Sequence, residues 1–223
     1  MASPEEDIDA KINYSHADEY WKGQPATVDG MLGGFGSISR KDVEASKALL
    51  KTYYKPSGTR ANGRALDCGA GIGRVSKLLL MPLFDKVDMV EQNGEFLERS
   101  FTYMGDKAAN VGERFCSGLQ DFTPAAGRYN LIWIQWVIIY LTDDDFVNFL
   151  KRCKAGLTKD GLIAIKDNVT RGERDYDEQD SSSTRTMDEM KAIFSKAGLT
   201  LMTKKKQTDF PPDLHPVIMF VLH

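Results

Sequence analysis

Three glycines at alternate positions give the clearest chemical signal in this 223-residue sequence. Gly69, Gly71 and Gly73 follow a short apolar run and precede a helical pattern that begins near Val75. Glycine lets the backbone turn tightly and approach a ligand closely, because no Cβ stands in the way. The helix N-terminus behind such a loop offers free N–H groups and a partial positive charge to an anionic group. The pattern favours a cofactor-binding turn over an ordinary strand-to-helix connection.

The spacing of these glycines narrows the choice between classes of cofactor. Arg74 stands where the dinucleotide fingerprint G-x-G-x-x-G has its third glycine, which disfavours an NAD oxidoreductase. Asp67 and the three glycines instead resemble motif I of the class I S-adenosylmethionine (SAM)-dependent methyltransferases. Glu91 lies 22 residues after Gly69 (91 − 69) and can accept hydrogen bonds from both ribose hydroxyls. Arg74 suits the carboxylate of SAM.

The elements that must position these residues form an α/β pattern from residue 64 onward. Strands are predicted at residues 64–68, 86–91, 114–117, 129–136, 162–166, 199–206 and 216–222, and helices at 8–22, 40–54, 75–80, around 96–103, at 143–157 and at 187–196. Strand–helix alternation predicts a Rossmann-like, seven-stranded, mostly parallel sheet with helices on both faces. We expect one domain over 1–223, with N-terminal helices and a lid loop in 1–60 and the core in 61–223.

Ligands of such sheets sit beyond the carboxyl ends of the strands, so the residues there are candidates. Leu119 and Gln120 follow the third strand and would hold the adenine. Gln135 ends the fourth strand and would meet the amino-acid end of SAM. Alternation along that strand puts Trp133 and Trp136 on opposite faces, and we expect Trp133 to belong to the core.

Residues 27–36 form an unusual connector with four glycines. It is either a flexible loop or a lid in which Met31, Leu32 and Phe35 close over a site with glycine hinges.

Composition limits the classes of function. The net charge of −3 gives no support to nucleic-acid binding by phosphate neutralisation. No apolar run reaches membrane-spanning length. Cys68, Cys116 and Cys153 are too far apart for a zinc or C-x-x-C site, and no metal is expected. We expect Cys68 and Cys116 to be core thiols, and a reducing compartment, nucleus and cytoplasm, fits unpaired cysteines.

Several stretches together resemble the protein N-terminal Xaa-Pro-Lys methyltransferases. They are residues 20–22 (YWK), 27–36 (TVDGMLGGFG), 65–74 (ALDCGAGIGR), 118–124 (GLQDFTP), 132–137 (IWIQWV), 149–153 (FLKRC), 165–168 (IKDN) and 180–182 (DSS). TVDGMLGG and IWIQWV are the specific ones, whereas the glycine loop is shared more widely. Members of this family use SAM to methylate the α-amine of proteins that begin Xaa-Pro-Lys or Xaa-Pro-Arg after loss of Met.

The resemblance implies roles for individual residues. SAM would be held by Gly69, Arg74, Glu91, Leu119, Gln120 and Gln135. Trp136 would pack on the second-position proline, Asn168 would hydrogen-bond the first residue, and Leu32 would help form the lid. Asp177 and Asp180 would face the α-amine and the third-position Lys or Arg. Trp21, Tyr140, Ser182 and His215 complete the predicted substrate-binding set, and chromatin-associated and ribosomal proteins would supply the substrate tails.

The chemistry agrees with these roles. A free α-amine has a pKa near 7.7–8.0, so a nearby carboxylate can position it and accept its proton. Residues 175–180 are strongly acidic and would favour Lys or Arg, although a solvated surface loop gives the same pattern. Trp21 and Trp136 could contact a methylated ammonium.

Three positions depart from the resemblance. Tyr140 stands where the family commonly has a His, and an ordinary tyrosine with a pKa near 10 is a poor base at neutral pH. Our hypothesis is that Asp180 accepts the proton instead. His215 stands where the family tends to have Tyr, and it is either a loop histidine or a modifier of peptide preference. Glu91 replaces a frequent Asp and keeps its chemistry.

Two alternatives differ in class. A SAM enzyme acting on a small molecule would need a closed pocket rather than an acidic channel. An inactive methyltransferase-fold scaffold would usually have lost glycine-loop or acceptor residues, and Gly69, Arg74, Gln135 and Asp180 are all present.

Overall fold

A seven-stranded sheet forms the centre of the computed structural model, which describes residues 7–54, 63–212 and 214–223. Its strands are β1 (Arg64–Cys68), β2 (Lys86–Glu91), β3 (Val111–Cys116), β4 (Tyr129–Gln135), β5 (Leu157–Asn168), β8 (Leu201–Lys206) and β9 (Val217–Leu222); β6 (Asp175–Asp177) and β7 (Ser182–Thr184) pair separately. The order is β3-β2-β1-β4-β5-β9-β8. The first five strands are parallel, and β9 pairs antiparallel with β5 and β8. The predicted mostly parallel sheet is confirmed.

Strand β4 shows why this sheet is buried on both faces. Ile132 and Ile134 pack into one hydrophobic cluster, whereas Leu131 and Trp133 pack into the cluster on the other face. This alternation follows from the period of two along a strand. Trp133 is fully buried, as predicted. The near-continuous apolar run of β4 is what a strand covered on both sides requires.

Helices cover the sheet and extend the N-terminus. They are α1 (Tyr14–Lys22), α2 (Ser39–Leu50), α3 (Gly94–Met104), α4 (Asp143–Gly156) and α5 (Met187–Lys196). The helix predicted over 8–22 is instead a 3-10 turn, Asp9–Lys11, followed by α1, and the segment after the glycine loop, Ser76–Leu80, is π-helical. Thr142 caps α4 by accepting a hydrogen bond from the Asp145 N–H, and Asp143, Asp144 and Asp145 occupy the first turn.

One sequence prediction about the surface was wrong, and one segment has regular structure that its sequence did not indicate. The acidic stretch 175–180 lies in the β6–β7 hairpin, whose short strands lack an alternating apolar pattern. Cys116 is exposed, because β3 is an edge strand of the sheet, whereas Cys68 and Cys153 are buried. The domain boundary expected at 60 and 61 lies outside the described residues. None of the described helices is long and apolar enough to cross a membrane.

Candidate active site

A cleft at the carboxyl ends of β1, β2 and β4 brings together most of the predicted cofactor and acceptor residues. About 980 Å³ of space lies between its walls and in the solvent at its opening. The predicted residues that line it are Gly69, Gly71, Arg74, Glu91, Leu119, Gln120, Gln135, Trp136, Trp21 and Tyr140. Met31, from the glycine-rich connector considered as a lid, also lines it, whereas Tyr14 and Val137 line it without having been predicted. The sequence therefore identified most, but not all, of the residues around the cleft.

The glycine loop adopts backbone conformations that other residues rarely reach. Gly69 and Gly71 have φ of +68° and +53°, and both line the cleft. Gly73, with φ +85°, was predicted to bind cofactor but does not line it. A Cβ on Gly73 would lie 2.1 Å from the terminal methyl of Met104. Gly73 therefore serves close packing of the helical turn on the core.

Asp67 holds the glycine loop in place through hydrogen bonds to Ser76. Its Oδ2 accepts hydrogen bonds from the backbone N–H of Ser76 at 2.9 Å and from the Ser76 hydroxyl at 2.6 Å. Burial raises the pKa of Asp67 to about 6 against the opposing effect of these hydrogen bonds. The side chain thus ties the end of β1 to the start of the π-helical turn.

Glu91 ends β2 at the cleft wall. Its two carboxylate oxygens accept the N–H groups of Gly71 and Asn93, each at 2.9 Å. Burial raises the pKa of Glu91, whereas these hydrogen bonds lower it. The carboxylate lines the cleft and can accept further hydrogen bonds, so the ribose role predicted for Glu91 stays available.

Arg74 and Gln135 supply the polar floor of the cleft. Arg74 Nη1 lies 2.7 Å from Oδ2 of Asp42, and its guanidinium lies 5.7 Å from the centre of the Trp136 ring. Gln135 donates to Oδ1 of Asp42 at 2.9 Å and accepts from the Trp133 indole at 2.9 Å. Asp42, on α2, was not singled out from the sequence. Nothing local marks it, because its partners come from three distant segments.

The acceptor side begins at Trp136. This residue follows the last residue of β4 and has φ +53°, so the chain turns sharply there rather than continuing the strand. Its ring lies 6.5 Å from the Phe210 ring. Trp21, on α1, makes edge contacts with Tyr140 at 6.1 Å and with Phe96 at 6.5 Å.

Tyr140 links the cleft to the β6–β7 hairpin. Its hydroxyl donates to Oδ2 of Asp180 at 2.8 Å, and the backbone N–H of Ser182 donates to Oδ1 at 3.0 Å. Burial, with the field of Asp180 and the hydrogen bond to it, raises the pKa of Tyr140 well above its usual value. The phenol therefore stays protonated and acts as a donor.

The remaining predicted acceptor residues lie outside the cleft lining. Asn168 is half-buried at the end of β5, and Asp177 is exposed on β6. His215 lies 3.0 Å from Asp175 and lines a separate, shallow surface cleft. Leu32 is buried beside the cleft rather than lining it; its neighbour Met31 faces the glycine loop instead.

The donors and acceptors of the cleft fit SAM. Its carboxylate needs a cation, its ribose needs paired acceptors, and its adenine needs a flat apolar edge with amide groups. Arg74, Glu91 and the pair Leu119–Gln120, all of which line the cleft, suit these three parts of SAM respectively. A Cβ on Gly71 would lie 2.6 Å from Met31 Sδ, so the glycine loop packs closely against Met31. Within the described ranges, no group of three or more His, Cys, Asp and Glu side chains could hold a metal ion.

Comparisons with known proteins agree with this reading of the cleft. A family model described as "AdoMet dependent proline di-methyltransferase" matches residues 9–223. The "N-terminal Xaa-Pro-Lys N-methyltransferase 1" of Xenopus tropicalis is 48% identical over 211 residues, which is 94% of each chain. The human protein of that name is 45% identical over 215 residues, or 96% of each chain.

Comparison with solved structures shows that the fold is that of known methyltransferases. A SAM-dependent methyltransferase of Leishmania major superposes with a TM-score of 0.86 at 36% identity, covering 99% of this chain and 85% of that one. A Burkholderia thailandensis N1-methyltransferase with bound S-adenosylhomocysteine shares the fold alone, with a TM-score of 0.68 at 16% identity over 100% of this chain and 91% of that one.

Proposed function

Because the chain belongs to the AdoMet-dependent proline di-methyltransferase family, we propose that it transfers methyl groups from SAM to the free α-amine of proteins beginning Xaa-Pro-Lys or Xaa-Pro-Arg. The observation that carries this acceptor is the hydrogen bond from Tyr140 to Asp180. Through it, a carboxylate of the acidic hairpin is held beside a residue that lines the cofactor cleft.

Methyl transfer is a displacement at carbon, and bound SAM supplies the electrophilic methyl group. The protein must place the amine in line, exclude water and remove a proton from the ammonium. Two features suit Asp180 to removing this proton. Two donors on different segments fix its carboxylate, and each oxygen retains a lone pair for the amine. Because the pKa of Tyr140 is raised, its phenol is already protonated at neutral pH and cannot accept the proton, which supports our hypothesis that Asp180 takes it.

The electrostatics at the mouth favour a cationic acceptor. Besides burial, the charges of Asp180 and Asp177 raise the pKa of Tyr20, so both carboxylates act where α1 borders the cleft. A peptide with an α-ammonium and a third-position Lys or Arg would be attracted there. Asp177, which is exposed, is suited to the third-position side chain, and Asp180 to the α-amine.

Trp136 and Asn168 supply the remaining recognition. The Trp136 ring offers an apolar face for a second-position proline, whose ring restricts the peptide backbone. Asn168 ends β5 with its side chain half-buried and would hydrogen-bond the first residue. Trp21 and His215 belong to the proposed acceptor surface, with His215 farther out at the second cleft. Ser182 is buried and contributes through its backbone N–H, which holds Asp180.

The natural substrates belong to the proposal as well. We propose chromatin-associated and ribosomal proteins with exposed Xaa-Pro-Lys tails, met in the nucleus and cytoplasm. Unpaired cysteines, of which Cys68 and Cys153 are buried, suit such a reducing compartment.

A methylation assay with SAM and mass-spectrometric detection tests the acceptor. The substrates are a Ser-Pro-Lys hexapeptide, its N-acetylated form and a Ser-Gln-Lys variant. We expect methylation of the first peptide alone. Methylation of the acetylated peptide would show that the enzyme acts on the lysine side chain and not on the α-amine. Failure of all three, with S-adenosylhomocysteine still bound, would leave a small-molecule acceptor or a scaffold role.

A further inference from the structure

A buried ion cluster lies under the floor of the cofactor cleft, centred on Asp42 of α2. Asp42, Arg74 and Lys166 are all at least 95% buried, yet only Arg74 lines the cleft. We propose that Asp42 is a positioning residue, which holds Arg74 and Gln135 in the orientation that receives the amino-acid end of SAM.

The contacts of Asp42 reach two cleft side chains at once. Oδ2 accepts from Arg74 Nη1 at 2.7 Å, and Oδ1 accepts from Gln135 Nε2 at 2.9 Å. Arg74 follows the glycine loop, whereas Gln135 ends β4. One carboxylate on a third element therefore sets the relative position of two polar groups that face the same ligand.

Hydrogen-bond chemistry fixes which end of the Gln135 amide faces Asp42. The Trp133 indole N–H can only donate, so the amide oxygen must face it, at 2.9 Å. The amide nitrogen then faces Asp42, as found. Its second N–H can serve a ligand. Within the described part of the chain, the guanidinium of Arg74 bonds Asp42 and Ser39 through Nη1, which leaves Nε and Nη2 for a carboxylate.

Lys166 anchors the carboxylate from the opposite side. Its Nζ lies 2.6 Å from Asp42 Oδ1 and donates to Ser46 Oγ at 3.0 Å and Gln207 Oε1 at 2.8 Å. The Ser46 hydroxyl already donates to the Asp42 carbonyl, so it accepts from Lys166. With the backbone carbonyl of Asp42 at 3.0 Å, four acceptors surround Nζ, which is more than the two N–H donors of a neutral amine can serve, whereas the ammonium form supplies three. Lys166 is therefore charged in this arrangement.

The cluster has two cations and one anion, so its net charge is +1 (two minus one). Two explanations of the role of Asp42 therefore predict opposite changes in ligand affinity when its charge is removed. If the charge balance alone mattered, neutralising Asp42 would leave the site more positive and bind a ligand carboxylate more tightly. If Asp42 positions Arg74 and Gln135, the same change weakens binding.

Two ligands separate positioning from general damage to the cleft. S-adenosylhomocysteine carries the amino-acid end, and 5′-methylthioadenosine keeps the adenosine but lacks that end. We expect Asp42→Asn to lower the affinity for S-adenosylhomocysteine, measured by calorimetry, by about 10-fold to 100-fold. This is the range for a lost hydrogen bond to a charged group. The affinity for methylthioadenosine should change by less than about 3-fold, because its contacts would lie with Glu91, Leu119 and Gln120, away from Asp42.

Matched variants control for folding and charge. Asp42→Asn with Lys166→Met keeps the net charge of +1 and removes the uncompensated buried ammonium, so it should regain thermal stability but not affinity. Asp42→Glu keeps the charge and shifts both contacts, and it should lower affinity for S-adenosylhomocysteine selectively. Ser46→Ala removes hydrogen bonds to Lys166 and to the Asp42 backbone carbonyl but none to the Asp42 carboxylate, and it should bind both ligands normally.

Three results would overturn the proposal. They are equal losses for both ligands, tighter S-adenosylhomocysteine binding by Asp42→Asn, and restored affinity in the charge-matched double variant. The proposal rests on SAM as cofactor and not on the acceptor, and these titrations contain no acceptor. Its failure is therefore distinguishable from failure of the peptide assay.

Discussion

Gly69→Ala should destabilise the protein more than Gly71→Ala, although both positions have positive φ. The Gly69 Cβ would lie 2.8 Å from both Cβ and Cγ2 of Val137 and 3.1 Å from Cγ1. The Gly71 Cβ would meet mainly Met31 Sδ, at 2.6 Å. A branched side chain next to its own backbone cannot rotate all three atoms away, whereas a methionine end can.

The loss of stability expected for each variant is the sum of two contributions. A left-handed backbone costs a non-glycine residue about 1–2 kcal/mol, and this applies to both variants at φ +68° and +53°. Overpacking against Val137 adds about 1–3 kcal/mol for Gly69→Ala. The gain from a less flexible unfolded chain is shared and cancels between the variants. We therefore expect Gly69→Ala to be less stable than Gly71→Ala by about 1–3 kcal/mol.

Urea unfolding followed by tryptophan fluorescence measures this difference directly. The two variants should share one m-value and differ in midpoint. Equal midpoints, or a lower midpoint for Gly71→Ala, would refute the packing argument, because the backbone contribution alone predicts nearly equal losses.

Three further predictions concern catalysis, titration and thiol chemistry. Asp180→Asn keeps the shape of the side chain but cannot take a proton, and kcat at neutral pH should fall by about 100-fold or more with thermal stability retained; near wild-type turnover would exclude Asp180 as the base. Burial raises the pKa of Asp167 to about 7 and that of Asp67 to about 6, so between pH 5.5 and 8 the native state binds more protons than the unfolded chain. The free energy of unfolding should then fall by about 2–3 kcal/mol as pH rises through this window, and a flat or rising profile in urea titrations would contradict it. Iodoacetamide should label the exposed Cys116 in the native protein and spare the buried Cys68 and Cys153, as peptide mapping can check.

Local pattern was sufficient for the sheet and the cofactor loop. The apolar run of β4 and the strand–helix alternation specified the parallel core, because period and length are properties of short segments. The distinction between Trp133 and Trp136 also came from period: Trp133 is core, whereas Trp136 lines the cleft. The left-handed backbone at Trp136 lay beyond this reasoning, since nothing in its residue type requires it.

Long-range polar contacts were not predictable from the sequence. Asp42 is a polar residue within an amphipathic helix and is buried only because Arg74, Gln135 and Lys166 converge on it from other segments. The link between Tyr140 and Asp180 spans 40 residues, and the hairpin that delivers it has no apolar alternation. Such pairs depend on tertiary placement, which periodicity does not encode.

The most direct test of the proposed activity is to locate the transferred methyl group. A Ser-Pro-Lys peptide is incubated with SAM and the enzyme, and fragment ions from each end are compared by tandem mass spectrometry. We predict added mass only on the N-terminal fragments that contain Ser, at its α-nitrogen. Added mass on the fragments that contain Lys, without any on the first residue, would contradict the proposed acceptor.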